Sequence, residues 1–147
     1  MLGFRVSRGA AGAVLGGVCL AVSLVGAPQA AATAAPSLTM TMTDSALSAT
    51  NTAAVGCGST ARATVKQPDG TPVSRGSVLF VSRLADNERG SVVGTAPVSN
   101  GSAQMLWIPD TAGHHVINAV YYDDDTEYRT STSSIEVVAV NLGGLCL

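Results

Sequence analysis

The sequence predicts an all-β fold, an antiparallel β-sandwich of about seven short strands. Three observations lead to this prediction. Short segments alternate polar and apolar residues with a period of two, which is the pattern of half-buried strands. Gly, Pro, Asn and Asp separate these segments at close intervals, as they do in turns. Beyond the N-terminal region, no segment has the apolar spacing of an amphipathic helix.

Seven segments carry strand patterns. In the first of them, threonine alternates with leucine or methionine, so one face of the strand is apolar. The third has a continuously apolar centre, which suits a strand in the core of a sandwich. The predicted strands are residues 37–43, 60–66, 76–81, 91–98, 102–108, 114–122 and 134–140.

The turns between these strands depend on particular residues. The stretch P-D-G-T-P at 68–72 has the residues of a turn. Proline fixes φ, the Asp69 side chain can bond its own backbone, and Gly70 tolerates positive φ. Asn100 and Gly101 both tolerate the positive φ of a type I′ turn, so we expect a β-hairpin joining the strands on either side. Residues 83–90 are polar and irregular, and they predict a loop.

The N-terminus has the layout of a secretory signal peptide. Arg5 and Arg8 give a positive start, and a run of small and apolar residues follows over 10–27, before an Ala-rich exit. A membrane anchor is the alternative reading, but no stop-transfer charges flank the run and no second apolar span follows it. We therefore expect a cleaved signal peptide over residues 1–35 and one domain over 36–147, in a secreted or cell-envelope protein without a membrane span.

The charge of the mature chain bears on its partners. Loss of Arg5 and Arg8 leaves six of the 8 basic residues against 10 acidic residues, a net charge of −4. Nucleic-acid-binding domains carry a clustered basic face, which this sequence lacks. No nucleic-acid partner is therefore expected.

The three cysteines divide into two groups. Cys19 lies within the predicted signal peptide, without the residues that lipoprotein processing requires. Cys57 and Cys146 remain, and an even pair in an exported protein predicts a disulfide before a metal site or a redox motif. The bridge would close a loop of about 90 residues and stabilise the fold by roughly 4 to 5 kcal/mol in the chain-entropy model.

Several short motifs occur in an order known from other proteins. They are G-S-V-L-F at 76–80, G-T-A-P-V at 94–98, G-S-A at 101–103 and A-G-H-H-V-I-N-A-V-Y at 112–121. Together they resemble the bacterial Ig-like repeat family, and W-I-P at 107–109 is similar to its exported actinobacterial single-domain type. The resemblance implies an immunoglobulin-like sandwich. Asp123 stands where the family turn usually has glycine, so that turn is expected to differ locally.

The family is usually a repeat, whereas one unit is visible here. This unit would therefore have to bury its core without neighbours, with few bulky side chains, since aromatic residues make up 4% of the chain. We expect four residues to fill the core: Phe80, Trp107, Ile117 and Tyr121.

No catalytic constellation is visible. His114 and His115 are adjacent on a predicted strand, so they point to opposite faces and cannot hold one metal ion together. No serine lies in a nucleophile elbow, and the glycines punctuate strands instead of opening a helix as a phosphate loop does. No catalytic residue and no cofactor is therefore expected.

One acidic run, residues 123–127, allows two readings. Its carboxylates are weak candidates for a Ca²⁺ site, because hard cations take several oxygen ligands from one loop. Against this, the run lacks the alternating spacing and turn glycine of a dedicated calcium loop, so a solvated acidic turn is the preferred reading. The candidate ligands are Asp123, Asp124, Asp125 and Glu127.

The function expected from these features is that of a non-catalytic structural or interaction module, adhesive in character, outside the cell or in its envelope. Its partner would be a protein or a glycan of the envelope or of a host surface. A small secreted enzyme or inhibitor with an unrecognised site is the alternative.

Overall fold

The computed structural model describes residues 34–43, 51–125 and 128–146. These residues form eight β-strands in two sheets, and no helix among them is long or apolar enough to cross a membrane. Apart from Ala34 and Ala35, the predicted signal peptide lies outside the described residues, as does Cys19. The strands are β1 Ser37–Thr43, β2 Thr52–Ala54, β3 Ser59–Lys66, β4 Ser77–Leu84, β5 Gly90–Pro97, β6 Ser102–Trp107, β7 Gly113–Tyr122 and β8 Ser131–Val140.

The two sheets form an immunoglobulin-like sandwich. One sheet has the order β1-β3-β6 and the other the order β2-β8-β7-β4-β5. The seven predicted strands correspond to all of these except β2, which has only three residues and therefore shows no readable alternation. β2 also departs from the predicted antiparallel pattern, because it runs parallel to β8, with Ala53 opposite Ala139.

The core lies between the sheets and is filled from alternate strand positions. Phe80, Ile117 and Tyr121 are fully buried, and Trp107 is 4% exposed, which confirms the predicted core residues. Tyr121 extends to the rim of the core, where its hydroxyl donates to the main-chain oxygen of Arg75 (3.3 Å). Small residues such as alanine occupy many of the remaining inward positions, so the layer is thin and each large side chain fills much of it.

The predicted Asn100-Gly101 turn forms, but it does not make a hairpin. Both residues have positive φ (49° and 74°), as in a type I′ turn, and Ser99 and Ser102 exchange main-chain hydrogen bonds across it. The strands on either side of the turn then separate: β5 pairs with β4, whereas β6 pairs with β3 in the other sheet. The expectation of a β5–β6 hairpin was therefore wrong, and the turn is a crossing between the sheets.

One side of the sandwich is closed by the first described residues. The hydroxyl of Ser131 at the start of β8 donates to the main-chain oxygen of Pro36 (2.6 Å). Arg129 donates its main-chain N–H to Ala34 (3.0 Å), and β1 packs against β8 across the layer. The opposite side is bordered by β5 and β6, each of which is the last strand of its sheet.

Candidate functional site

The predicted disulfide marks one end of the sandwich. Cys57 and Cys146 are bonded, with their Cα atoms 5.5 Å apart, and they are separated by 89 positions in the sequence. Next to Cys57, Gly56 donates its N–H to the main-chain oxygen of Pro109 (2.8 Å). The bridge therefore fixes the C-terminal tail to the β2–β3 loop, which is itself held against the segment that follows β6.

A cleft of about 450 Å³ opens near this end, between the edge strands β5 and β6. We call it the β5/β6 cleft. The end of β4 and the loops after β4 and β6 complete its walls. Its lining residues are Ser82, Arg83, Leu84, Asn87, Arg89, Ser91, Val92, Val93, Leu106, Trp107, Ile108, Asp110, Thr111 and His115.

The local sequence explains why the two edges leave a cleft. Towards the opposite end, Gly94 lets β5 approach β6 closely, because a Cβ there would lie 2.7 Å from the Met105 methyl group. Between Val92 and Gly94 the register of β5 on β4 shifts by one residue, which leaves Val93 as a β-bulge. Bulges bend the strand that carries them and raise its twist. The edges thus meet at Gly94 and leave room beyond the bulge.

The inner part of the cleft is formed by two rings in edge-to-face contact. Trp107 and His115 are each 4% exposed, and their ring centroids lie 5.2 Å apart at an interplanar angle of 69°. Nε2 of His115 lies 2.8 Å from the main-chain oxygen of Thr111, and because a carbonyl only accepts, Nε2 is the protonated nitrogen. Nδ1 of His115 is buried, and no described residue donates a hydrogen bond to it.

The outer part of the cleft is apolar. The described residues include four exposed large hydrophobic side chains, and three of them line this cleft: Val92 (68% exposed), Leu106 (60%) and Ile108 (53%). The fourth, Leu145, lies in the C-terminal tail. Clusters of exposed apolar side chains with a polar rim are typical of binding surfaces, whereas single ones are common everywhere.

The lining of the cleft includes two arginines and one acidic side chain, and the loop that carries Arg89 also holds the exposed Asp86 and Glu88. Arg83 is half-buried at the end of β4, Arg89 is exposed just before β5, and Asp110 is the one acidic side chain in the lining. Among the described residues neither arginine has an ion pair, since both recorded ion pairs belong to Arg75. Asn87 shapes the loop by accepting the main-chain N–H of Arg89 (2.9 Å).

A second hollow of about 540 Å³ lies on the other side of the same loops. It shares Leu84 and Thr111 with the cleft and has the exposed His114 on its wall. The two histidines thus face different hollows, which confirms the prediction that they point to opposite faces of β7. In the described parts of the chain, no three His, Cys, Asp or Glu side chains are close enough to hold a metal ion.

The acidic run lies at the end of the sandwich opposite the disulfide, and an arginine occupies it. Nε of Arg75 is 3.2 Å from Oδ2 of Asp123, whose side chain is only 4% exposed. Arg75 also pairs with the exposed Asp125. Asp124 is exposed, and Glu127 lies outside the described residues. The calcium site remains a prediction, with Arg75 already bound to two of its four candidate ligands.

Sequence reasoning did not find the β5/β6 cleft. Val92, Leu106 and Ile108 read as ordinary apolar members of strand patterns, and no pattern of one strand reveals that the strand is an edge. The available signal was the absence of charge: β5 reads G-S-V-V-G-T-A-P and β6 reads S-A-Q-M-L-W. Exposed edges usually carry charges that discourage pairing with other chains.

The fold has counterparts among solved structures. The CARDB domain of a Pyrococcus furiosus protein, solved with two metal ions, has a TM-score of 0.47 and 16% identity. The match covers 71% of this chain and 89% of the CARDB chain. A superoxide reductase (neelaredoxin) from Ignicoccus hospitalis has a TM-score of 0.49 and 10% identity, covering 72% and 80%. The PKD domain of an M14-like peptidase from a Thermoplasmatales archaeon has a TM-score of 0.41 and 14% identity, covering 71% and 92%.

At these identities the likeness is one of fold, and it carries no argument about metal binding or redox chemistry. No curated protein matches the sequence. The family model for the bacterial Ig-like domain (group 3) matches residues 46–141, which is well over half of the chain. That span runs from before β2 to just past the end of β8, and it includes both edge strands of the cleft. The chain therefore belongs to the bacterial Ig-like domain (group 3) family.

Proposed function

We propose that this protein is an exported, non-catalytic binding module that acts outside the cell or in its envelope. The observation that carries the proposal is the β5/β6 cleft, whose lining includes three exposed apolar residues and which is bordered by two strand edges that have no strand partner among the described residues. An edge exposes main-chain donors and acceptors, and an apolar cluster gains from removal of water. Both features favour contact with another molecule.

The disulfide supports the proposed location. Disulfides form and persist in oxidising compartments, which include the extracellular space and the bacterial periplasm. Cys57 and Cys146 are bonded here. Together with the positively charged, apolar N-terminus, this bond supports export.

The arrangement around His115 favours binding over catalysis. A general base in a hydrolase is usually oriented by a carboxylate and bonded to a nucleophile. His115 instead gives its Nε2 hydrogen to the main-chain oxygen of Thr111, and no described residue donates to its Nδ1. A small secreted enzyme or inhibitor is the alternative function, and no arrangement in the described residues favours it.

Affinity capture tests the proposal. The disulfide-intact domain, immobilised, is exposed to envelope extract of its own cell and, separately, to host matrix components. The matched control is the same domain after reduction and alkylation of Cys57 and Cys146 and unfolding in urea. We expect partners that bind only the folded form. If the folded and unfolded forms retain the same material, the binding function is wrong.

A further inference from the structure

We propose that the β5/β6 cleft takes an extended polypeptide segment of a partner protein, which adds as a new strand to the free edge of β5. This inference deepens the binding function proposed above and rests on it. The segment carries apolar side chains at alternate positions, and it has a carboxylate at the end that meets Arg83 and Arg89.

The main chain of β5 supplies the first argument. β5 pairs only with β4, so its outer edge has no strand partner among the described residues. Neither β5 nor β6 contains a charged residue that would oppose pairing, and because the bulge at Val93 and Pro97 limit pairing further along β5, the stretch open to a new strand is residues 90–92. Peptides that add to such an edge gain affinity from main-chain hydrogen bonds and specificity from pockets for alternate side chains.

The side chains of the cleft supply the second argument. Successive side chains of an added strand point to opposite faces, so one set faces the cleft and the other faces solvent. The facing set points into the cleft, whose lining includes Val92 and Ile108, and Leu106 adjoins the cleft from the outer face of β6; all three are more than half exposed in the free protein. A volume of about 450 Å³ is within the ordinary range of ligand pockets and admits several apolar side chains.

The rim supplies the third argument and places the carboxylate of the segment. Arg83 and Arg89 stand at the loop end of the cleft, where Asp110 is the one acidic lining residue. Arginine recognises carboxylates through two parallel hydrogen bonds, and neither of these arginines has an ion pair among the described residues. A segment with an acidic residue at this end is therefore favoured over a neutral or basic one.

The buried rings favour a polypeptide over a glycan. Sugar rings are commonly held by stacking on an exposed aromatic face. Trp107 is instead buried, with His115 packed against it. The lining offers a strand edge, apolar side chains and cations, which match the main chain, side chains and carboxylate of a peptide. His115 Nδ1 adds an acceptor at the inner wall to which no described residue donates.

A defined peptide tests the proposal. The probe is a short blocked peptide that alternates valine and threonine and ends in two glutamates, and binding is followed through Trp107, the only tryptophan of the chain. We expect saturable binding. A matched peptide with proline at its centre loses main-chain donors and should bind at least about tenfold more weakly.

Variants of the protein locate the binding. Val92→Lys places a charge on the edge and should weaken binding at least about tenfold, whereas Leu145→Lys, an exposed site outside the cleft, should not change it. Arg89→Glu should weaken binding of the glutamate peptide and restore it for a peptide ending in lysines. Thermal melts by circular dichroism confirm that each variant is folded.

Three outcomes overturn the proposal. One is no binding, or equal binding by the parent and Val92→Lys. Another is a homodimer in sedimentation that Val92→Lys abolishes and the peptide does not disrupt, since a second copy then occupies the edge. The third is envelope capture that persists unchanged in Val92→Lys, which leaves the binding function intact but moves it to another surface. Failure of capture by the parent would instead remove the binding function itself.

Discussion

Trp107 and His115 meet edge to face in the thin core, each 4% exposed, with their ring centroids 5.2 Å apart. The pair joins the two sheets, since Trp107 ends β6 of one sheet and His115 lies on β7 of the other. Aromatic contacts of this geometry stabilise a fold by about 0.5 to 1.5 kcal/mol beyond the apolar area that they bury. This contact also forms part of the inner wall of the cleft.

Truncation of Trp107 should therefore be costly. We expect Trp107→Ala to lower the free energy of unfolding by about 3 to 5 kcal/mol, because it leaves a cavity between the sheets. Urea unfolding followed by circular dichroism measures it, since the variant lacks the only tryptophan. Val92→Ala is the control, expected to change stability by less than about 0.5 kcal/mol. Superimposable unfolding curves of Trp107→Ala and the parent would contradict the expectation.

Removal of the disulfide should also destabilise the domain strongly. Cys57→Ser with Cys146→Ser frees a loop whose ends are 89 positions apart, and we expect a loss of about 2 to 5 kcal/mol. The parent treated with a reducing agent should unfold at the same urea concentration as the double variant. If the variant has the stability of the oxidised parent, the bridge does not restrict the unfolded chain as argued.

Substitutions at two glycines distinguish the stability cost of a strained backbone from the cost of steric crowding. Gly70 and Gly76 both have positive φ (88° and 78°), but a Cβ at Gly70 meets nothing within 4 Å. At Gly76 it would lie 2.6 Å from the main-chain oxygen of Tyr122 and 2.7 Å from the ring of Tyr121. We expect Gly70→Ala to lower the free energy of unfolding by about 1 to 2 kcal/mol and Gly76→Ala to lower it distinctly more. Thermal melts measure both. Equal costs would show that the contact at Gly76 relaxes freely.

The turn at Asp69 predicts a local pH dependence. The side-chain hydroxyl and main-chain N–H of Thr71 donate to Oδ1 of Asp69 (2.7 and 2.9 Å), and they lower the pKa of Asp69 below its ordinary value. Because the folded pKa is depressed, this contribution to stability is present above the unfolded pKa and is lost as the pH falls through the folded pKa.

We expect Thr71→Val to raise the pKa of Asp69 towards its ordinary value, since the hydroxyl bond is the largest cause of the shift. Thr71→Ser keeps a hydroxyl and should keep most of the shift. An NMR titration of the Asp69 carboxyl measures all three proteins. An identical titration in the parent and Thr71→Val would show that the hydroxyl bond does not persist in solution.

Calcium should leave the parent protein unchanged. Arg75 holds Asp123 and Asp125, so a cation would have to displace a paired guanidinium. We expect millimolar Ca²⁺ not to move the Tm of the parent, and Arg75→Met to lose about 2 kcal/mol by leaving the buried Asp123 without its partner. A rise in Tm with Ca²⁺ that Asp124→Asn abolishes would establish the calcium site instead.

Local features of the fold were readable from the sequence, and non-local ones were not. The alternation of β1 and the positive φ of Asn100 and Gly101 depend on neighbouring residues alone, so both were predicted correctly. Whether the strands on either side of that turn pair with each other depends on other strands, since β6 pairs with β3 and β5 with β4. A type I′ turn fits a hairpin and a crossing between sheets equally, and the sequence pattern does not distinguish them.

The cleft escaped prediction for a related reason. Leu106 is exposed because it alternates with the buried Trp107, and nothing in the alternation of β5 or β6 shows that these are the edge strands that border a cleft. The residues expected to form a site were instead the carboxylates of the acidic run, and two of these, Asp123 and Asp125, pair with Arg75. A binding surface made of apolar side chains and main chain leaves little trace in a single sequence.

The Cys57–Cys146 bridge also decides how the domain responds to tension. Force applied to the chain on either side of the bridge passes through the sulfur atoms, so the segment from β3 to β8 bears no load. Of the described strands, β1 and β2 lie outside this covalent ring, and stretching can peel them away while the ring stays at its folded length. All residues that line the cleft lie within the ring. A partner bound in the cleft would therefore stay bound while the chain outside the ring, with β1 and β2, extends.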